Sequence, residues 1–150
     1  MNIDLMLKVA DYIEANPDEY DQRNWCGTEC CIAGHAVALS GDAVLIRRAG
    51  AYSALAGYID VLDVLDFGSI MRIPEEARKR LDISHDLAGT LFGAAARWPL
   101  EFQFSIFDVS DEGRARKAAM FLRHLVAEEL QRRELELDAV EVKDEELVLA

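Results

Sequence analysis

The chain reads as a mainly α fold: a single compact domain of about five or six helices, with short β-hairpin elements as the one expected departure. Three observations point there. Apolar residues recur at three- and four-residue steps over 3–15, 28–39 and 111–131, the period of a helix with one buried face. Start or stop signals bound the helical stretches: Asn16-Pro17, Ser40-Gly41, Pro74-Glu75-Glu76 and Ser110-Asp111-Glu112. A length of 150 residues, 51% of them hydrophobic, suits one core burying about 68–70% of the unfolded surface. No linker, repeat or low-complexity stretch divides the chain, so 1–150 is read as one domain.

The first helix is expected over 3–15. Asp4, Lys8 and Asp11 make its polar face, and Ile3, Met6, Leu7, Ala10 and Ile13 its buried one. Asn16-Pro17 ends it, because the residue before proline avoids the helical region. Polar residues 17–24 form a loop. Thr28 is the expected N-cap of a second helix, which runs to about Leu39 and stops at Ser40-Gly41. Segment 42–73 is mostly apolar, is punctuated by Gly50, Gly57 and Gly68, and fits short helices or a hairpin. Pro74-Glu75-Glu76 opens a helix to about Leu81, with acids at the positive end of its dipole. Ser84 caps a short helix over His85–Phe92, and Gly93 stops it.

Leu100–Ile106 alternates with period two, as a strand does, while Leu100, Phe104 and Phe107 fit helical spacing equally. Ser110 then opens the strongest helix, to about Gln131, with Ala115, Ala118, Leu122, Leu125 and Glu129 or Leu130 as its stripe. From Arg132 the chain either extends that helix or forms a hairpin, Glu134–Val142 against Leu147–Leu149. Short strands are therefore expected near 52–73, 100–106 or 134–149.

The net charge is −12, from 16 basic and 28 acidic residues. That balance opposes binding of nucleic acid or an anionic membrane through a broad electrostatic surface. It favours solubility or a basic partner. Half of the excess lies in Ala127–Ala150, where nine acids meet three bases, so 132–150 is expected to be an acidic C-terminal extension or tail. Asp4, Lys8 and Asp11 interrupt the first apolar stretch, so no signal peptide is expected, and no run reaches the roughly 18 apolar residues of a membrane span. Three cysteines within six positions are not a disulfide framework. A cytoplasmic protein with reduced thiols is the expectation.

Chemistry is to be sought first in Trp25–Ala36, which holds Cys26, Cys30, Cys31 and His35. These four are numerically a Cys3His set, the ligand count of structural zinc. Adjacent helical residues point about 100° apart, so Cys30 and Cys31 do not converge on one ion. Cys31 and His35 share a face at i, i+4, and Cys26 is close enough in sequence to join them. Cys26, Cys31 and His35 are thus the candidate site residues, with zinc as the ion they would take and His85 or His124 as remote completions. A thiol nucleophile at a helix N-terminus is the second reading. His124, the remote base it would need, sits beside Glu128 at i+4 and is expected to form a surface ion pair instead. The third reading is packing: cysteine acts as a small hydrophobe, Gly34 admits a close neighbour, and His35 is a buried histidine bonded to a backbone carbonyl.

Cys26-Gly27-Thr28-x-x-Cys31-Ile32-Ala33-Gly34-His35-Ala36 resembles a Cys-Gly-Thr-x-x-Cys-x-Ala-Gly-His/Trp-Ala motif of small bacterial and phage proteins with no established activity. A looser similarity covers Leu81–Phe92, Trp98-Pro99 and the helix near Ala115–Leu125. Together they span about half the chain. The sequence departs by doubling the cysteine at Cys30 and by its long segment 42–73. In similar proteins a tryptophan can stand where His35 stands, which suits packing better than ligation. The resemblance implies the helical fold and no particular activity.

No nucleotide loop and no distinct acid–base pair stands out. The expectation is a small non-enzymatic binding or regulatory protein that uses no cofactor and acts through a protein partner. The alternative is a metal- or thiol-dependent function at Cys26, Cys31 and His35.

Overall fold

The polar stripe of the first helix decides which of its apolar residues are buried. A computed structural model describes the backbone of residues 1–22, 31–41, 43–48, 58–63, 70–105 and 110–149, with side chains over 1–22, 31–41, 73–105 and 110–138. In it α1 spans Ile3–Ala15, and the Asn2 side chain accepts a hydrogen bond from the Leu5 amide at its N-terminus. Asp4, Lys8 and Asp11 are exposed, as expected. The buried residues are Leu5, Met6, Val9, Ala10 and Ile13, whereas Ile3 and Leu7 are only half-buried. Val9 lies opposite the polar stripe, and Ile3 and Leu7 flank it, so the core face is turned from the one expected.

The second helix, α2, is shorter than its local signals suggest. It runs Ile32–Leu39, and Cys31 holds the capping position in extended backbone. The expected cap, Thr28, lies outside the described residues. Every residue from Ile32 to Val37 is buried, which marks a central helix enclosed on all sides, and Ala38 is exposed.

Strands β1 (Ala43–Arg48), β2 (Tyr58–Asp63) and β3 (Ile70–Arg72) form an antiparallel sheet in the order β1-β2-β3. Val44 pairs with Leu62, and Asp60 with Arg72. β2 and β3 lie inside the expected 52–73; β1 precedes it. The short apolar runs Val44-Leu45-Ile46 and Val61-Leu62 suit a strand but carry no helix-or-strand signature alone. The other two strand sites are corrected. Leu100–Phe102 is a 3₁₀ turn and 134–149 is helical.

β3 leads directly into α3 (Ile73–Leu81). Asp82, at φ 50°, turns the chain left-handed, and the Ile83 amide donates back to the Arg78 carbonyl, closing the helix. α4 (His85–Leu91) starts at Ser84, whose side chain accepts from the Leu87 amide as expected. Trp98 is buried. Its Nε1 donates to the Thr90 carbonyl at 3.0 Å, and its ring lies 5.0 Å from Phe121 and 5.6 Å, edge-on, from Phe104. That anchor holds the segment after α4 against the last helix and explains why no strand forms over 100–105, the described part of that stretch.

α5 spans Asp111–Leu149, 39 residues or about 58 Å, with the Ser110 side chain accepting from the Gly113 amide at its start. Ala115, Ala118, Leu122 and Leu125 are buried as expected. Glu129 continues the stripe, while Leu130 is 52% exposed. α1 packs along this helix, and Arg123 reaches across to Asp11 (2.9 Å) and Glu14 (2.6 Å). Among the described residues no helix is long and apolar enough to cross a membrane.

Candidate functional site

Two places bear on function: the cluster at the start of α2, and the far half of α5. The first contains two of the three candidate residues. Cys31 and His35 are joined through the backbone, the His35 amide donating to the Cys31 carbonyl at 3.0 Å. Cys26 lies outside the described residues.

His35 is buried, and its Nε2 sits 3.1 Å from the Glu19 carbonyl. A carbonyl only accepts, so Nε2 carries the proton and is the donor. The Tyr12 ring lies 5.4 Å from the imidazole, and the Tyr12 hydroxyl donates to Glu19 Oε2 at 2.5 Å. That hydrogen bond raises the Tyr12 pKa, with burial adding to it. Glu19 therefore receives α1 through its carboxylate and α2 through its carbonyl. His35 is a buried histidine bonded to backbone, the packing role its sequence context suggested.

Cys31 is buried in the core. Burial pushes its thiol up to about 11, against the opposing pull of the Gly34 and Ala33 amides at the helix start. At neutral pH only about one part in ten thousand is then thiolate. The helix dipole that was expected to activate the sulfur loses to desolvation. Buried Tyr20 beside it is also held well above its usual value, first by burial and then by Cys31 and Asp21.

Folded-state pKa values above the unfolded ones give stability that is complete below the unfolded value and lost as pH rises through the folded one. For Cys31 that window is pH 9 to about 11. In a Cys26→Ser, Cys30→Ser variant, Cys31 should stay unreactive toward a thiol reagent at neutral pH and react fully once denatured. Stability should fall between pH 9 and about 11. Rapid stoichiometric labelling of the folded variant at neutral pH would falsify this picture and restore a reactive thiol.

Sequence reasoning missed Gln22. Its Nε2 donates to the Leu91 and Gly93 carbonyls, both at 2.9 Å, at the end of α4. Its Oε1 accepts from the Tyr20 hydroxyl at 3.0 Å and faces the Ile32 amide at 3.5 Å. Helix ends leave carbonyls and amides without partners, and one loop side chain meets both kinds. A polar residue in a polar loop carries no signal of this in sequence. No protein-family model, curated protein or solved structure matches the chain.

Among the described residues no three His, Cys, Asp or Glu side chains gather as a metal-ligand group. His85 is exposed on α4. His124 lies 3.4 Å from Glu128, the surface pair its spacing indicated, and its ring packs 5.1 Å from Phe102.

The second place is the end of α5. Glu129 accepts from Arg132 at 2.9 Å and from Arg133 at 2.8 Å, and these two partners hold its carboxyl down to about 2. Arg133 also donates to the Met1 carbonyl at 2.9 Å. Among the described residues that is the last hydrogen bond between α5 and the rest of the chain. Beyond it the helix continues for sixteen residues, about 24 Å, and residues 134–138 are all exposed. Leu135 and Leu137 are among them.

Proposed function

We propose that this chain is a small non-enzymatic binding or regulatory protein that acts through a protein partner, with the projecting part of α5 as its docking element. The carrying observation is the exposed stretch 134–138 of α5 beyond Arg133, which presents Leu135 and Leu137 among acids. An isolated helix of about sixteen residues is marginal in water, so an amphipathic partner surface would stabilise it. The acidic excess of 132–150 favours a partner with basic character at the rim of that contact. The Cys31 and His35 cluster supports this reading from the other side, since its thiol is protonated and its imidazole is tied to a carbonyl.

Deletion of residues 132–150 is the test. The shortened chain should keep its helical spectrum and cooperative melting, because Val126 is the last buried residue of α5 among those described. It should lose capture of proteins that the full chain retains on an affinity column. Equal capture by both chains would remove α5 as the interface.

A further inference from the structure

One buried line of α5 continues as a sequence pattern beyond Val126, its last buried residue among those described. Ala115, Ala118, Leu122 and Val126 are buried on it, and Glu129 and Arg133 follow at helical steps. The same steps place Leu137, Val140, Asp144 and Leu147 on the continuing face. Their spacing alternates three and four, the pattern of a helix pair's seam. The seam holds one base near its start, Arg133, and one acid near its end, Asp144. Leu130 stands at its margin, half-exposed.

We propose that this face pairs with the same face of a second copy of the chain, antiparallel and two-fold symmetric. The proposal rests on reading the arm as the docking element and names its occupant. An alignment that sets Leu137 against the partner's Val140 also sets Arg133 against the partner's Asp144, and Leu130 against the partner's Leu147. Every seam position then meets an apolar residue or an opposite charge. A parallel pair would set Arg133 beside the partner's Arg133 and Asp144 beside the partner's Asp144, and facing like charges are unfavourable. Polar seam residues are a known means of fixing orientation. The overlap, 130 to 147, is five turns or about 27 Å. Contacts of that size belong to weak, concentration-dependent association. Away from the seam the two arms are both acidic and repel, so added salt tightens the pair by screening.

Sedimentation equilibrium of the full chain tests this. The average mass should rise from one copy toward two with concentration, and further as salt is raised from about 0.15 M to about 0.5 M. Asp144→Arg and Arg133→Glu should each weaken pairing about tenfold, and the double exchange should restore it. Leu137→Lys, at a position 66% exposed and therefore safe for the fold, should also weaken it. Melting curves show whether the Arg133 variants remain folded, since Arg133 also holds the Met1 carbonyl. A chain that stays single at every concentration and salt overturns the proposal, and so do charge exchanges without effect. A single chain whose arm still captures a basic protein, more weakly in salt, overturns self-pairing and leaves the docking role standing. Equal capture by residues 1–131 removes both.

Discussion

Replacing Glu76 with alanine should destabilise the protein by about 3–5 kcal/mol, as removal of one partner from a buried ion pair does. Glu76 and Arg80, one turn apart on α3, meet at 2.7 Å with side chains only 9% and 10% exposed. Burial lowers the Arg80 pKa, yet a guanidinium stays charged at any pH where the fold exists. Its Nη1 donates to Ser40 Oγ at 3.0 Å, and Ser40 Oγ donates to the Val37 carbonyl at 2.7 Å. The pair therefore locks α3 to the end of α2. Without Glu76 the mostly buried guanidinium loses the carboxylate that meets it one turn away. The pair itself is not a net gain: Glu76 Oε2 is buried with no hydrogen-bond partner, so part of its desolvation is unrecovered. Exchanging both residues for apolar ones of similar volume should accordingly cost little or even stabilise. Urea denaturation of the single and double variants separates these outcomes. A loss below about 1 kcal/mol for Glu76→Ala would place the pair among surface contacts.

Trp98→Ala should be comparably severe, about 3–5 kcal/mol. The indole is nearly fully buried and fills the space between α4, Phe104 and Phe121. Its removal leaves a cavity and takes the Nε1 donor from the Thr90 carbonyl. Trp98→Phe keeps ring contact and loses that hydrogen bond, so about 1–2 kcal/mol is expected. The two substitutions compared in denaturant divide packing from hydrogen bonding. Equal losses for alanine and phenylalanine would mean that the hydrogen bond, not the volume, governs this corner.

The helices were legible because their signals are local. Ser84 and Ser110 cap where capping residues should, and Asn16-Pro17 ends α1 at the residue that proline dictates. The start of α2 was not legible, since Gln22 comes from a loop to meet its first amide, and no pattern in Thr28–Ile32 encodes that partner. The sheet was located only coarsely. Its strands are short apolar runs, and pairing such as Val44 with Leu62 is a long-range choice that period alone does not reveal. Arg132 onward was readable as helix or hairpin because its apolar residues lie on two sides of a helix, which blurs the periodicity. At the candidate site the packing reading of His35, one of three the sequence allowed, had it buried and bonded to a carbonyl, and the spacing of His124 and Glu128 indicated their pair. It gave Cys31 a helix dipole but not the burial that defeats it, because burial is a property of the neighbours.

The continuity of α5 ties the arm to the core by phase. After Gly113 the helix contains no glycine or proline, so it has no joint at which the two halves can be reset. One residue inserted or lost between Val126 and Leu137 would turn the arm about 100° relative to α1, and the seam would no longer continue the buried face. A seven-residue change would turn it by only about 20°. Chains that keep this architecture are thus free to lengthen or shorten the arm in heptads but not in single residues, and such length changes record whether its face is in use.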